Sequence, residues 1–227
     1  MSVFSSLKSA LTLAALAACA LAPMQQASAQ TAAWPSKPVR IIVSFPPGGT
    51  SDIVARLIGQ HLTDKLGQQF IVDNRPGAGG TLAGELVHKE APDGYTLILA
   101  NNAPFTIAPT QFKKIPYDPV ADFTHIGYIG ASAPGLLVQP SLGVKNLGDF
   151  IALARKDPKI SYGSSGVGSI SHILGEGVKK KAGIAMVHVP YKGSAPAIQD
   201  FKAGVLKTYY DLLAPVSYTH LTLPTNR

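Results

Sequence analysis

The feature that most constrains the fold is a strand, a glycine-rich turn and a helix in direct succession. Residues 39–44 (VRIIVS) are rich in β-branched side chains, which is typical of a buried strand. Residues 45–52 (FPPGGTSD) hold prolines, which fix φ, and glycines, which let a ligand approach the backbone. Apolar residues then recur at helical spacing from Ile53 to Leu62. The turn therefore ends at a helix N-terminus that favours an anion, although a plain strand-to-helix connection fits the pattern equally well.

Strands and helices continue to alternate as far as residue 100. The predicted elements are strands at 69–73 and 95–100, a glycine-rich turn at 74–80 (NRPGAGG) and a helix at 81–89. This βαβαβ order is typical of a mostly parallel sheet with helices on its faces. We expect a first α/β domain at 30–131. A strand is predicted at 125–130 (HIGYIG), where the chain leads toward the next domain.

A second α/β series begins near residue 132. Its predicted elements are helices that begin near residues 146, 170 and 195, and strands at 135–139, 160–162, 186–189 and 206–211. The turn at 163–169 (GSSGVGS) again joins a strand to a helix. We expect a second, partial α/β domain at 132–214. Because open α/β sheets bind ligands beyond the carboxyl ends of their strands, the expected site is a cleft between the two domains.

The N-terminus has the features of a signal peptide. Residues 1–29 combine a basic Lys8, a short apolar run and the small-residue cleavage site Ala27-Ser28-Ala29. The apolar run is too short to span a bilayer, so we predict cleavage and export. The alternative is lipid attachment at Cys19, which ends a lipobox-like LAAC and is the less favoured reading. Since Cys19 is the only cysteine, the mature soluble form would lack disulfides, thiolate metal sites and a cysteine nucleophile.

The C-terminus is unlike the rest of the chain. Residues 215–227 (PVSYTHLTLPTNR) resemble the translation of an adapter used to prepare sequencing libraries. We therefore expect a non-native tail there and a fold that is incomplete at its C-terminus. The alternative is a genuine polar loop or edge strand.

Common catalytic and cofactor motifs are missing from the sequence. There is no GxxxxGK[ST] phosphate loop, no GxSxG nucleophile elbow, and no histidine spacing that suits a metal. The formal net charge of +7 suits anionic ligands, but the basic residues are scattered, so we predict no nucleic-acid partner. Ser169 and His172 lie three residues apart and leave an exported serine hydrolase as the alternative function. Helix capping by Ser169 is the favoured interpretation, because a triad needs a third orienting group. Asp211 is a candidate for that role, but nothing in the sequence ties it to the pair.

Five blocks in order resemble one known family. They are residues 45–52, 72–80 (VDNRPGAGG), 92–97 (PDGYTL), 162–169 (YGSSGVGS) and 189–197 (VPYKGSAPA). Together they are similar to the tripartite tricarboxylate transporter substrate-binding proteins, also called the Bug receptors. The resemblance spans residues 34–214 and is far more specific than any single glycine-rich turn.

The resemblance implies a type II-like periplasmic binding protein with two α/β domains and mostly parallel sheets flanked by helices. Such a receptor is not an enzyme and needs no cofactor. It closes around a small organic acid, such as a di- or tricarboxylate, and delivers it to the permease subunits of a membrane transporter. We expect a periplasmic monomer. In the family, the chain returns from the second domain to complete the first, and we expect this return segment to be missing from residues 1–227.

The resemblance also implies which residues line the cleft. From the first domain these are Pro47, Gly48, Gly49, Asp52 and Asn102, and from the second they are Ser164, Ser165, Gly166, Ser169 and Tyr191. Each has a plainer alternative: Pro47 and Gly49 shape the turn, Asp52 caps the helix, and Tyr191 packs.

Overall fold

The computed structural model describes residues 33–212. The predicted signal peptide at 1–29, with Cys19, and the predicted tail at 215–227 lie outside the described residues. Across the described part of the chain, no helix is both long enough and apolar enough to cross a membrane.

The first lobe contains a three-stranded parallel sheet in the order β2-β1-β3. Its elements are β1 (Val39–Val43), α1 (Thr50–Leu66), β2 (Phe70–Asn74), α2 (Thr81–His88) and β3 (Thr96–Leu99). The central strand β1 is the most buried, and its side chains pack with Ala55 of α1 and Phe70 of β2. Because all three strands are parallel, their carboxyl ends and the turns that follow them lie at one edge of the sheet.

The connection to the second lobe differs from the prediction. After a π-helical turn at Ala103–Ile107 comes the short helix α3 (Ala108–Gln111). The strand predicted at 125–130 is wrong, because these residues have no strand partner and form no strand. Ile126 is 80% exposed and Tyr128 is 83% exposed. This segment does have the composition of a strand, but a strand also needs a neighbouring strand to pair with.

The second lobe contains a four-stranded mixed sheet in the order β4-β7-β5-β6. Its elements are β4 (Pro134–Val138), α4 (Leu147–Lys156), β5 (Ser161–Ser164), α5 (Ile170–Ala182), β6 (Val187–Pro190), α6 (Ser194–Lys202) and β7 (Thr208–Leu212). Strands β5, β6 and β7 are parallel, whereas β4 runs antiparallel to β7. The carboxyl ends of the three parallel strands again lie at one edge.

Both faces of the second sheet are covered by helices. Tyr209 and Tyr210 are neighbours in β7 and point to opposite faces, as alternating residues of a strand must. Tyr210 packs in a cluster with Phe150 of α4, and Tyr209 packs with Ile198 of α6. The α/β class with mostly parallel, helix-flanked sheets therefore agrees with the sequence analysis. The domain limits 30–131 and 132–214 stay a prediction.

Candidate ligand-binding site

The turn between β1 and α1 is braced from within by the carboxylate of Asp52. Asp52 is 4% exposed, and its Oδ2 accepts the backbone N–H of Gly48 at 3.0 Å. Arg56, one helical turn later, donates from Nε to Oδ2 at 3.1 Å and pairs through Nη2 with Oδ1 at 2.9 Å. Gly48 has a φ of 85°, which glycine adopts without strain. Asp52 therefore holds a left-handed turn in place.

The end of β2 supports the same turn from the side. Asn74 donates from Nδ2 to the carbonyl of Phe45 at 2.9 Å and accepts from Nη2 of Arg56 at 3.3 Å. Burial opposes ionisation of Asp52, but hydrogen bonds from Arg56 and Gly48 outweigh it and hold the pKa of Asp52 below its usual range. Asp52 is therefore an anion at neutral pH, and its charge is already engaged within the first lobe.

At the end of β3, Asn101 joins neighbouring turns. Its Nδ2 donates to Oγ of Ser44 at 2.9 Å and to Oγ of Ser51 at 3.3 Å, while its Oδ1 accepts the N–H of Ala103 at 3.0 Å. The predicted residue, Asn102, is exposed. Asn101 is thus a structuring residue that the sequence analysis missed. Its signal was the same as that of Asn102, a polar side chain directly after a strand.

The turn between β5 and α5 is held by a network of serine hydroxyls. Ser169 is the N-cap of α5: its Oγ accepts the N–H of His172 at 3.3 Å and donates to the carbonyl of Gly166 at 2.6 Å. Oγ of Ser171 lies 2.9 Å from the hydroxyls of both Ser165 and Ser169. It also accepts the N–H of Ser165 at 3.0 Å. The cap predicted for Ser169 is confirmed, and the hydroxyls mainly stabilise the turn.

Two histidines support this turn from behind. Ser164 ends β5 and is fully buried, and its Oγ lies 2.6 Å from Nε2 of His188. The same oxygen accepts the N–H of Gly166 at 3.2 Å. Nδ1 of His172 accepts the N–H of Gly168 at 3.3 Å. Burial, and then the neighbouring His172, lower the pKa of His188, so its neutral form is favoured.

The turn after β6 is tied to the serine-rich turn. The N–H of Tyr191 donates to the carbonyl of Ser164 at 3.0 Å, and the N–H of Gly193 donates to that of Ser165 at 3.1 Å. The Tyr191 hydroxyl donates to Oδ2 of Asp200 at 2.8 Å. Burial and this hydrogen bond raise the pKa of Tyr191 to about 12. The second lobe therefore presents two turns as one connected surface.

The turns of the two lobes lie against each other. A Cβ atom added to Gly48 would lie 3.4 Å from Cβ of Ala195, which is in the first turn of α6. A Cβ atom added to Gly79 would lie 3.8 Å from the carbonyl oxygen of Val167. Bare glycine backbone from the first lobe thus approaches both turns of the second. The strand-end turns converge as a cleft site requires.

A serine hydrolase does not fit this geometry. The Ser169 hydroxyl is buried and donates to a carbonyl, while Nδ1 of His172 faces the N–H of Gly168. Asp211, the candidate third member, is buried and hydrogen-bonded to the hydroxyls of Tyr209 and Ser194. The hydrogen bonds that define a nucleophile and its base are therefore not formed by these residues. Between residues 33 and 212, no group of three histidine or acidic side chains is placed to hold a metal ion.

One protein family matches most of the chain. It is the tripartite tricarboxylate transporter family receptor, and the match covers residues 54–221. The chain belongs to this family. Its members are receptors rather than enzymes, so the predicted family and the predicted non-enzymatic class are confirmed. Curated Bordetella relatives of this receptor chain are 34% to 36% identical to it, and the chain spans about half of their length.

Three solved structures resemble this receptor chain closely. An R. palustris protein solved with adipate is 36% identical, with a TM-score of 0.78 over 82% of this chain and 62% of that one. MatC from Rhodopseudomonas palustris, with bound malate, is 30% identical, with a TM-score of 0.76 over 82% and 64%. The periplasmic binding protein BugD is 29% identical, with a TM-score of 0.76 over 82% and 62%. The periplasmic binding protein fold is thereby confirmed.

The ten predicted ligand residues of the receptor chain fall into two groups by exposure. The exposed or half-exposed ones are Pro47, Gly48, Asn102, Ser165, Gly166 and Tyr191. The buried ones are Gly49, Asp52, Ser164 and Ser169. Contact of either group with a ligand stays a prediction. The buried side chains of Asp52, Ser164 and Ser169 hydrogen-bond to the backbone of their own turns.

Proposed function

We propose that this chain is the capturing part of a periplasmic receptor for a small organic acid, which it delivers to a tripartite tricarboxylate-type membrane transporter. The observation that carries the proposal is the convergence of braced, glycine-rich turns at facing strand ends in the two lobes. The helix N-termini at these turns favour a carboxylate, and no catalytic group is needed to recognise it. The bound adipate and malate of two relatives support the same ligand class.

We further propose a division of roles within the cleft. The exposed group contacts the acid directly, and at its centre Gly48 and Gly166 allow close approach because they have no side chain. Their N–H groups are already bonded to Asp52 and Ser164. The buried group, with Asp52 and Ser164 at its centre, keeps the turns in their binding shape before the ligand arrives. Preorganisation of this kind improves affinity because little conformational entropy is lost on binding. Residues 30–131 and 132–214 would be the two domains that close on the ligand.

The direct test is calorimetric titration of the purified chain with adipate and with malate. Adipamide, which replaces both carboxylates of adipate by neutral amides, is the matched control ligand. We expect saturable binding of at least one acid and no binding of the diamide. Binding of the amide as tightly as the acid, or turnover of a bound carboxylic ester, would overturn the proposal.

Export and transport call for separate measurements. In a Gram-negative host, the mass of the periplasmic product should correspond to cleavage after Ala29, whereas a lipid-bearing Cys19 would reveal the anchored alternative. Size exclusion with light scattering should give a monomer. Uptake of the labelled acid by membranes that contain the permease subunits should require the added receptor, and uptake without it would contradict the delivery step.

A further inference from the structure

The second lobe holds a stack of three rings behind the turn at 163–169. His188 of β6 stacks on His172 of α5, with ring centroids 4.4 Å apart and planes inclined by 24°. His188 also stacks on Tyr162 of β5 at 4.9 Å and 21°. His188 is therefore the middle ring, and its position fixes that of His172.

Each histidine of the stack controls one backbone amide of the turn. His188 contacts the Ser164 hydroxyl, and that oxygen accepts the N–H of Gly166. His172 accepts the N–H of Gly168 directly. Both glycines have positive φ, 129° and 81°, so the turn depends on these hydrogen bonds for an unusual backbone path. One imidazole pair thus holds the amides of Gly166 and Gly168 in a turn that faces the first lobe.

The protonation state of the pair matters because an N–H group can only donate. Gly168 N–H requires an unprotonated Nδ1 on His172, and a proton there would set two donors against each other. A charge on both stacked rings would add repulsion at 4.4 Å.

The other groups that face the pair are few. From α5 these are Glu176 and Lys179, which pair with each other at 2.8 Å and so largely offset their charges. From β5, the Tyr162 hydroxyl donates to the same Glu176 at 2.6 Å, and Tyr210 of β7 packs edge-on against the Tyr162 ring.

We propose that His188 is a positioning residue for ligand capture and that its stack with His172 makes the affinity of the cleft depend on pH. This inference rests on the proposed function. Acidification protonates His188, which places a positive charge 4.4 Å from the His172 ring that accepts Gly168 N–H, and the turn loosens. Because burial lowers the pKa of His188, the neutral, turn-holding form is favoured at neutral pH and is lost as pH falls through that lowered pKa. Affinity for the acid therefore falls with pH.

The first test compares His188→Gln and His188→Ala with the wild type, by adipate titration from about pH 8 to pH 5.5. A glutamine amide can still hydrogen-bond Ser164 but takes up no proton. At pH 8 we expect His188→Gln to stay within about threefold of the wild type and His188→Ala to bind about tenfold more weakly, the usual range for a lost buried hydrogen bond. Toward acid pH, the wild type should lose about tenfold more affinity than His188→Gln. Ionisation of adipate itself is common to all variants and cancels in the comparison.

Two results of this test would overturn the inference. The first is a pH slope in His188→Gln equal to that of the wild type. The second is a His188→Gln affinity at pH 8 as low as that of His188→Ala, which would assign His188 to packing alone. His61→Gln, on the exposed side of α1, is the matched control and should keep the wild-type slope.

The second test needs no ligand. Nitrogen-15 spectra of the wild-type chain at pH 8 should show that Nδ1 of His172 accepts the Gly168 N–H, and acidification should shift the Gly168 amide together with the His188 imidazole. A protonated Nδ1 at pH 8, or a Gly168 amide that ignores the titration, would overturn the inference. If the spectra behave as expected and no acid binds at any pH, the proposed function fails. If an acid binds with the same slope in every variant, only the inference fails.

Discussion

Replacement of Asp52 by alanine tests whether the first turn is braced from behind. The variant loses the charge-assisted hydrogen bond to Gly48, worth about 1–2 kcal/mol, and the pair with Arg56. Because Arg56 is 54% exposed, that pair contributes less than about 1 kcal/mol. The free energy of unfolding should therefore fall by about 2 kcal/mol. For a domain of this size, the melting temperature should drop by about 4–8 °C.

The pH dependence of the melting temperature provides a second test of the Asp52 prediction. The pKa of Asp52 is held below its usual range in the fold, so its contribution is complete above the unfolded value, about pH 4, and is lost as pH falls through the folded value. The melting-temperature gap between wild type and Asp52→Ala should therefore narrow in acid. Asp64→Ala is the matched control, because Asp64 is an exposed aspartate on the same helix. Equal melting of Asp52→Ala and wild type at pH 7, or an equal loss in Asp64→Ala, would refute the bracing argument.

Three further substitutions test the packing and the turns, the first two by thermal and urea unfolding and the third by acid titration. Gly175→Ala places a methyl group 2.2 Å from the buried Tyr162 ring and should lower the free energy of unfolding by at least about 2 kcal/mol. Gly177→Ala on the same helix meets no neighbour and should leave that free energy unchanged or raise it. Similar melting of the two variants would contradict this packing. Ser169→Ala removes the α5 N-cap and should lower the free energy of unfolding by about 1 kcal/mol without changing ester hydrolysis. Loss of an esterase activity in this variant would favour the serine hydrolase instead. Asn101→Ala should weaken acid binding more than Asn102→Ala does, because Asn101 joins the turns and Asn102 does not. The reverse order would show that direct contact by Asn102 contributes more than the support from Asn101.

The elements with strong local signals were predictable from the sequence. The run from β1 through the turn to α1 contains a β-branched strand, turn-forming prolines and glycines, and a helical period. The structure forms β1 within one residue of the expected limits and a helix that contains the whole apolar pattern from Ile53 to Leu62. The serine cap of α5 is equally local. Such signals succeed because the interactions that decide them lie within a few residues of each other.

The errors fall where the deciding interaction is remote in sequence. Residues 125–130 have strand-like composition, yet they form no strand, since pairing depends on a partner elsewhere in the chain. The antiparallel direction of β4 depends on its pairing with β7, some 70 residues later. The structuring role of Asn101 depends on Ser44 and Ser51, which lie 57 and 50 residues earlier in the chain, so no local periodicity indicates it.

The bracing of the turns from behind has a consequence for how this receptor could change its ligand over time. The shape of the first turn depends on Asp52 and Arg56, and that of the second on buried hydroxyls and imidazoles. The Val167 side chain at the surface of the second turn is 56% exposed, so its replacement should disturb that shape little. Under the proposed function, selection could therefore change the preferred acid one surface residue at a time without rebuilding the scaffold. The same separation makes Val167 a convenient position for a reporter dye in a biosensor.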